Sequence, residues 1–456
     1  MENAISAARA ALLTGAYPLR CGLPDVHSYG SPFGLHPEEV TLAEILKTKG
    51  YATACIGKWH LGEDPKLGPN RQGFDYFYGT RLVNGTQAFE TFAAPIWRNE
   101  QLLSRRSNHA RFTQDSHREA MQFIEEHRDR PFFLYLAHLM PHVPIYPGDG
   151  FRRRSPAGLY ADAVEEIDFY VGRLMAALKT LEFDEHTLVI FTSDNGPWAG
   201  HAEQSGSAAP LRGSKLTTWE GGFRVPCIAR WPGQIPAGRT CREIVTQMDF
   251  LPTIAALTGA PLSSRRIDGR NVWPLLAGTS GATSPHEAFF FYAGSWLQAV
   301  RAGRWKLHLA RERRESRYGW CAGWFTNNTT LMATDQLYDL DSDIGEAVDV
   351  AAQHPQLVAQ LRALAAKARE DIGDYDIRGH NARPIGSSMP EYPDPIAWQR
   401  SPHAKEANAR NAGRDAGVPA RTRCLAARAS AVGSTGERGT AVLSEDFGPV
   451  PDRWPE

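Results

Sequence analysis

The sequence lacks the features that mark several large classes of protein. No stretch approaches the ~18 uncharged apolar residues that a membrane-spanning helix needs, so we expect no membrane span. There is no basic excess either, since 50 lysine and arginine residues stand against 51 aspartate and glutamate residues. A net charge near zero argues against a dedicated nucleic-acid-binding protein. Any chemistry that depends on charge must therefore be local.

Cysteine is scarce and unclustered, and the first residues carry no export signal. None of the six cysteines forms a CxxC pair or a zinc-ligand spacing, which indicates isolated thiols rather than a disulfide framework or a zinc site. Met1, Glu2 and Asn3 do not form a basic leader region, and Arg9 interrupts the first run of alanine and leucine. The sequence therefore shows no signal peptide.

The chain has 456 residues, of which 42% are hydrophobic and 22% charged, so it can bury a substantial core. Its first part alternates between two patterns. Amphipathic helices are predicted at 37–49, 112–127 and 160–180, and short continuous apolar strands at 51–56, 132–136 and 187–191. This alternation predicts an α/β fold, with a mostly parallel sheet covered by helices on both faces.

The pattern changes after about residue 280. Short strands are predicted at 288–292, 298–300, 305–309 and 336–340, followed by one amphipathic helix over 355–372. We therefore expect three regions: a catalytic domain at 1–280, a smaller α+β domain at 281–398, and a low-complexity tail at 399–456.

Polar residues cluster where the predicted strands end. The three clusters are 57–62, 138–144 and 192–196, and a fourth, glycine-rich set covers 211–226. Taken singly, each cluster has a structural explanation, such as a turn, a solvated lysine or a histidine held by the backbone. Because ligands bind outside the carboxyl ends of strands in such sheets, we interpret the clusters jointly as one site.

Six side chains of these clusters form a chemically coherent group. They are Lys58, His60, His142, Asp194, Asn195 and Lys215. Two lysines stabilise charge on a tetrahedral oxyanion, and two histidines can exchange protons near neutral pH. A carboxylate beside an amide oxygen suits Ca²⁺ or Mg²⁺ rather than zinc. The group therefore predicts hydrolysis of a sulfate or phosphate ester.

At this point the sequence resembles the sulfatase family of the alkaline-phosphatase-like superfamily, and most of all its arylsulfatase A and N-acetylgalactosamine-6-sulfatase type. The matching segments are 9–15, 57–62, 141–144, 192–197, 212–226, 249–253 and 337–340. The resemblance implies hydrolysis of sulfate monoesters, with a small-molecule or carbohydrate sulfate ester as the partner. It also implies a Ca²⁺ ion, for which Asp194 and Asn195 resemble two of the ligands.

The same resemblance implies a role for each remaining site residue. Lys58 and His60 resemble the residues that hold and deprotonate a hydrated formylglycine nucleophile, and Arg9 resembles the residue that braces that turn. His142 and Lys215 resemble the pair that binds the sulfate and helps the leaving oxygen to accept a proton.

The start of the chain departs from the family pattern. The position that holds the Cys or Ser precursor of formylglycine is Ile5 here, and Ser6 is one residue out of register. The family also begins with a strand that ends in paired aspartates, which supply further metal ligands. Without that strand we expect a weakened Ca²⁺ site, unpaired strand edges and exposed apolar surface.

Two hypotheses account for this departure. The chain is either a truncated or displaced reading of a complete sulfatase, or a degenerate, inactive member of the family. Two other functions stay open at this point. One is a phosphate or phosphonate monoesterase of the same superfamily, and the other is a protein that binds sulfated ligands without cleaving them.

Overall fold

The fold is organised around a five-stranded mixed sheet in the computed structural model, which describes residues 5–23, 30–82, 94–105, 107–312, 331–375, 377–389 and 391. The strands within these residues are β1 (Phe33–Gly34), β2 (Ala52–Lys58), β3 (Tyr76–Thr80), β4 (Ile96–Arg98), β5 (Gln101–Ser104), β6 (Phe132–Ala137), β7 (Val189–Thr192), β8 (Cys227–Arg230), β9 (Phe289–Ala293), β10 (Trp296–Ala302), β11 (Trp305–His308), β12 (Gln336–Asp339), β13 (Gly373–Asp374), β14 (Ile377–Arg378) and β15 (Gly386–Ser387). The helices are α1 (Ile5–Thr14), α2 (Leu42–Lys47), α3 (Phe112–Glu126), α4 (Leu159–Thr180), α5 (Glu220–Phe223), α6 (Phe250–Thr258), α7 (Trp273–Leu276) and α8 (Pro355–Asp371).

The order of the five-stranded sheet is β5-β4-β3-β2-β6. The central strand β2 pairs in parallel with both β3 and β6, whereas β4 and β5 continue the sheet in antiparallel pairing. The strands of the parallel part are mostly apolar because both of their faces are covered. Gly57 is required where β2 lies against β6, since a Cβ atom there would collide with the carbonyl oxygen of Ala137.

Alternate residues of the parallel strands face two different helical layers. Cys55 and Phe77 pack into a cluster with α1, α2 and α6, whereas Ile56 and Tyr78 pack into a cluster with α3. This division follows from the period-two alternation of side chains along a strand. The prediction of an α/β fold with helices on both faces is confirmed.

The strand predicted at 187–191 is present as β7, but its partner differs from the one expected. It pairs antiparallel with β8 in a separate two-stranded sheet, and the described residues place no strand between it and β6. Phe191 and Ile228 of this small sheet expose 39% and 62% of their surface. A continuous apolar run predicts a buried strand without specifying its partner, so the sequence could not distinguish the two arrangements.

The C-terminal part is an antiparallel meander in the order β12-β11-β10-β9, covered by α8. Leu361, Ala365 and Ala368 of the helix are buried in one cluster with Val300 and Leu307 of the sheet. The predicted strands and the helix at 355–372 are therefore present. Domain limits at 280 and 398 stay a prediction, and the tail at 399–456 lies outside the described residues.

Helix α2 starts later than predicted. Thr41 is its N-cap, and Thr41 and Glu44 exchange side-chain-to-backbone hydrogen bonds in a capping box, whereas Pro37 lies in the preceding turn. The reciprocal pair satisfies two of the amide groups that have no partner within the helix at this N-terminus. No helix within the described residues is long and apolar enough to cross a membrane.

Candidate active site

A cleft of about 220 Å³ lies where β2, β6 and β7 end. Most of the residues singled out from the sequence line it: Arg9, Lys58, His142, Asp194, Asn195 and Lys215. They come from helix α1, the last residue of β2, the segments after β6 and β7, and the loop before α5. The cleft therefore gathers the polar ends of strands from two sheets, although β7 does not hydrogen-bond to the larger one.

Arg9 joins these elements. The side chain is 6% exposed, and its guanidinium donates hydrogen bonds to the Lys58 carbonyl oxygen at 2.7 Å and to Asp194 Oδ2 at 3.1 Å. It also donates to the Tyr135 hydroxyl at 3.2 Å. One buried cation thus holds helix α1, two strand ends and the loop after β7 in fixed relation.

The two lysines of the cleft are buried cations beside Arg9. Burial and the charge of Arg9 lower the pKa of Lys58 well below its ordinary range, and Lys215 lowers it further. Burial lowers the pKa of Lys215 to about 8, an effect that Arg9 adds to and Asp194 partly offsets. Lys215 is further placed over the Trp198 ring, with its Nζ atom 4.5 Å from the centroid. Burial and neighbouring cations therefore disfavour the protonated form of both lysines, and a bound anion would stabilise that form.

His142 is neutral in this environment. Burial and the charges of Lys215 and Lys58 lower the pKa of His142 well below its ordinary range. Its Nδ1 lies 2.6 Å from the carbonyl oxygen of Val143, an acceptor, so Nδ1 carries the proton of the neutral ring. Nε2 of that tautomer has an acceptor lone pair, and a bound anion would favour its protonation.

His60 is not among the residues that line the cleft. It is buried, its backbone has a φ of 60°, and its amide donates to the Arg81 carbonyl oxygen at 3.0 Å, which turns the chain toward β3. The structure therefore brings together six of the seven predicted site residues in one cleft. His60, which was grouped with Lys58, is not among the lining residues.

Asp194 and Asn195 lie on a tightly packed turn. The Gly196 amide donates to the Gly222 carbonyl oxygen at 3.1 Å, and a Cβ atom at Gly196 would collide with the Gly221 carbonyl oxygen. Asn195 Nδ2 donates to the Gly196 carbonyl oxygen, which leaves the buried Oδ1 without a hydrogen bond. The Asn-Gly pair is thus a contact between the cleft and α5 as well as a turn.

The donor set for a calcium ion is incomplete in the residues that the structure describes. Asn195 Oδ1 suits a hard cation, but Asp194 is already ion-paired with Arg9. Within the described residues, no group of three His, Cys, Asp or Glu side chains is placed to hold a metal. Because Ca²⁺ takes about 6–8 oxygen ligands, these residues do not fit the ion.

Several residues that line the cleft were not identified from the sequence, among them Tyr135, Trp198 and Gln247. Tyr135 belongs to the apolar run of β6 and looked like core, and Trp198 follows the 192–197 segment directly. Gln247 donates from Nε2 to the Ser193 carbonyl oxygen at 2.6 Å. The neighbourhood of a polar cluster pointed to Trp198, whereas no local pattern marks Gln247.

Comparison with known proteins gives a consistent assignment. The family described as Sulfatase matches residues 4–260, and the C-terminal region of aryl-sulfatase matches residues 284–384. Human arylsulfatase A is 36% identical over 399 residues, covering 78% of this chain and 76% of that protein. N-acetylgalactosamine-6-sulfatase from Canis lupus familiaris is 37% identical over 328 residues, covering 67% of this chain and 62% of that protein.

Solved structures agree with the sequence relatives. The PsFucS1 sulfatase from Pseudoalteromonas sp. superimposes with a TM-score of 0.71 at 27% identity, covering 84% of this chain and 83% of that one. Since the family pattern also covers more than half of the sequence, this chain belongs to the sulfatase family.

Proposed function

We propose that the cleft binds the sulfate group of a sulfate monoester, and that this chain retains little or none of the family's hydrolytic activity. The observation that carries the proposal is the excess of buried cations. Arg9, Lys58 and Lys215 line the cleft together with one carboxylate, Asp194. Burial lowers the pKa of both lysines, Arg9 lowers both further, and Lys215 adds to the lowering at Lys58. An anion in the cleft reverses these shifts, so it is the ligand that the charges favour.

The side chains of the cleft support two steps of ester hydrolysis. Lys58 and Lys215 offset the charge that develops on sulfate oxygens, in a buried site where such interactions are strong. Lys215 is charged at neutral pH and can donate a proton to the departing alcohol oxygen, and neutral His142 can accept one at Nε2.

We assign no residue of this chain as the nucleophile. Isoleucine at position 5 has no heteroatom that can attack sulfur or be oxidised to an aldehyde. We also propose that any Ca²⁺ bound by Asp194 and Asn195 is held weakly, because the described donor set is incomplete. No step is assigned to that ion.

Isothermal calorimetry with 4-nitrophenyl sulfate tests the binding step. We expect saturable binding that Lys215→Ala weakens and that Lys179→Ala, at an exposed lysine, leaves unchanged. Absence of binding to the unaltered protein would overturn the proposal. Release of 4-nitrophenol well above the uncatalysed rate would contradict the part of it that concerns the nucleophile.

The phosphate-ester alternative is separated by a matched pair of ligands. 4-Nitrophenyl phosphate has the same aryl group and one more negative charge at neutral pH. Tighter binding and faster hydrolysis of the phosphate than of the sulfate would favour a phosphate monoesterase. The names of the relatives include both aryl and N-acetylgalactosamine sulfates, so sulfated N-acetylgalactosamine is the first sugar to titrate.

A further inference from the structure

A network of buried charges connects the C-terminal sheet to the first residue of α5. Lys306 Nζ lies 2.9 Å from Glu220 Oε1 and 3.0 Å from Glu346 Oε1. Arg301 pairs with the second oxygen of Glu220 at 2.9 Å, and His308 Nε2 lies 2.9 Å from Glu346 Oε1. The Glu220 amide also donates to Glu346 Oε2 at 2.7 Å.

The network is buried. Lys306, Glu346 and His308 are fully buried, and Glu220 is 1% exposed. Burial lowers the pKa of His308 well below its ordinary range, and the charge of Lys306 adds to this, so its ring is neutral and donates to Glu346. Two carboxylates are thus balanced by two cations. Because the desolvation penalty of buried ion pairs can exceed their mutual attraction, such a network is weak evidence for a role in stability alone.

Helix α5, at one end of the network, packs against both loops of the cleft. The Gly221 amide donates to the Arg212 carbonyl oxygen at 2.7 Å, and the Gly222 carbonyl oxygen accepts from Gly196 at 3.1 Å. The Lys215 amide donates to the Pro197 carbonyl oxygen at 2.9 Å. The loop that carries Lys215 and the loop that follows Asp194 therefore both contact α5, at Gly221 and Gly222, directly after Glu220.

A second set of contacts joins the same loop to the same sheet. Arg212 donates to the Glu346 carbonyl oxygen at 2.6 Å and lies over the Trp219 ring at 3.7 Å. The Trp219 ring in turn lies 4.0 Å from the His308 ring, and Thr218 donates to Gln298 Oε1 at 3.0 Å. The Glu220 end of the segment from Arg212 to Glu220 is thus fixed to the C-terminal sheet, and the Arg212 end to the loop that follows β12. Lys215 lies between these two ends.

We infer that Lys306 and Glu346 are positioning residues, through which the C-terminal sheet fixes Lys215 in the cleft over Trp198. The inference rests on the proposed function for its effect on ligand affinity. Neither residue lines the cleft, so each acts through the 212–220 loop and not on the ligand.

The test compares Lys306→Met and Glu346→Gln with Glu119→Gln. Glu119 is a matched control, since it is 3% exposed and ion-paired with Arg98 at 2.7 Å, and neither of these two residues lines the cleft. Thermal melting first establishes which variants are folded. Glu346→Gln keeps the side-chain shape, and it carries the test if Lys306→Met does not fold.

The first readout needs no ligand. The indole N–H resonance of Trp198, assigned by its loss in Trp198→Phe, reports the position of the Lys215 ammonium over the ring. We expect it to move in Lys306→Met and Glu346→Gln, as in Lys215→Ala, and to stay in place in Glu119→Gln. An unchanged resonance in folded network variants would overturn the inference, whatever the protein binds.

The second readout is the affinity for 4-nitrophenyl sulfate. We expect the network variants to bind about tenfold more weakly. The loss should disappear when Lys215 is already alanine, since the network would then have nothing to position. Equal losses with and without Lys215 would show a general structural role and contradict the inference. Failure of the unaltered protein to bind would overturn the proposed function alone.

Discussion

At the residue scale, the cleft is a set of charges that change one another's protonation. Lys215 has a pKa of about 8 because it is buried near Arg9, and an anion beside it raises that pKa. A group whose pKa is higher in the complex than in the free protein contributes its full amount to the binding free energy at pH values below its pKa in the free protein. That contribution is lost as the pH rises above the free value.

We therefore predict that the affinity for 4-nitrophenyl sulfate falls as the pH rises through about 8. Calorimetry at a series of pH values measures this decline. Lys215→Ala should bind about 10- to 100-fold more weakly at neutral pH, the range for loss of a charged hydrogen bond. The affinity of Lys215→Ala should also no longer fall as the pH rises through about 8, whereas that of Lys179→Ala should fall as in the unaltered protein. A decline of equal size in Lys215→Ala would assign it to another group.

A second residue-scale prediction concerns stability. Arg9→Met removes the donor to the Lys58 carbonyl oxygen and leaves Asp194 without its ion-pair partner. We expect the free energy of unfolding to fall by about 1–3 kcal/mol, with Asp194 limiting the effect because its side chain is 26% exposed. Urea denaturation measures the change. Arg152→Met, at an exposed position, is the control, and an equal loss there would refute the assignment.

The sequence identified these charged residues because they follow apolar strands in clusters. Lys215 was identified in the glycine-rich set at 211–226, which follows no predicted strand, and Arg9 was placed by resemblance to a family. Gln247 was missed because its contact with Ser193 joins segments 54 residues apart. His60 is absent from the residues that line the cleft, and its backbone has a φ of 60°, a conformation that the residue type does not predict.

At the element scale, strand β6 has a partner on one side only within the described residues. It pairs with β2, while β7 pairs with β8 in another sheet. Amide groups of β6 alternate between the β2 side and the opposite side. Half of them are therefore bound in the sheet, and the other half face away from it.

Hydrogen exchange tests this arrangement. We predict that alternate amides of β6 exchange rapidly, whereas the amides of β2, which is paired on both sides, are protected throughout. Mass spectrometry with fragmentation, or NMR, resolves the alternation. Uniform protection along β6 would show that a further segment pairs with its open edge.

Long amphipathic helices were the elements most accessible from sequence. Predicted helices at 112–127 and 160–180 match α3 and α4 to within one residue at each end, because their apolar spacing persists over several turns. Strand partners were not accessible. The apolar run of β7 is compatible with a parallel or an antiparallel neighbour, and that choice depends on residues about 40 positions away in β8.

At the scale of the whole molecule, the incomplete donor set predicts that stability does not depend on calcium. The described residues offer Asp194 and Asn195 but no further acidic group near them, and Asp194 is paired with Arg9. We predict that the melting temperature is the same in excess Ca²⁺ and in EDTA, because a ligand stabilises only when it binds the folded state appreciably. A saturable increase with Ca²⁺ that Asn195→Ala abolishes would show a complete site.

The buried network around Lys306 has a consequence for how the chain unfolds. Glu220 lies in the region matched by the sulfatase family pattern, yet its two cationic partners, Lys306 and Arg301, come from the C-terminal sheet. If that sheet were to unfold first, Glu220 would lose both of its cationic partners, and separating a buried ion pair in this way is strongly destabilising. The two regions that the sequence separates near residue 280 should therefore melt in one cooperative transition. Substitutions on the outer surface of the C-terminal sheet should consequently be tolerated, whereas those at Lys306 and Arg301 should have to be compensated at Glu220.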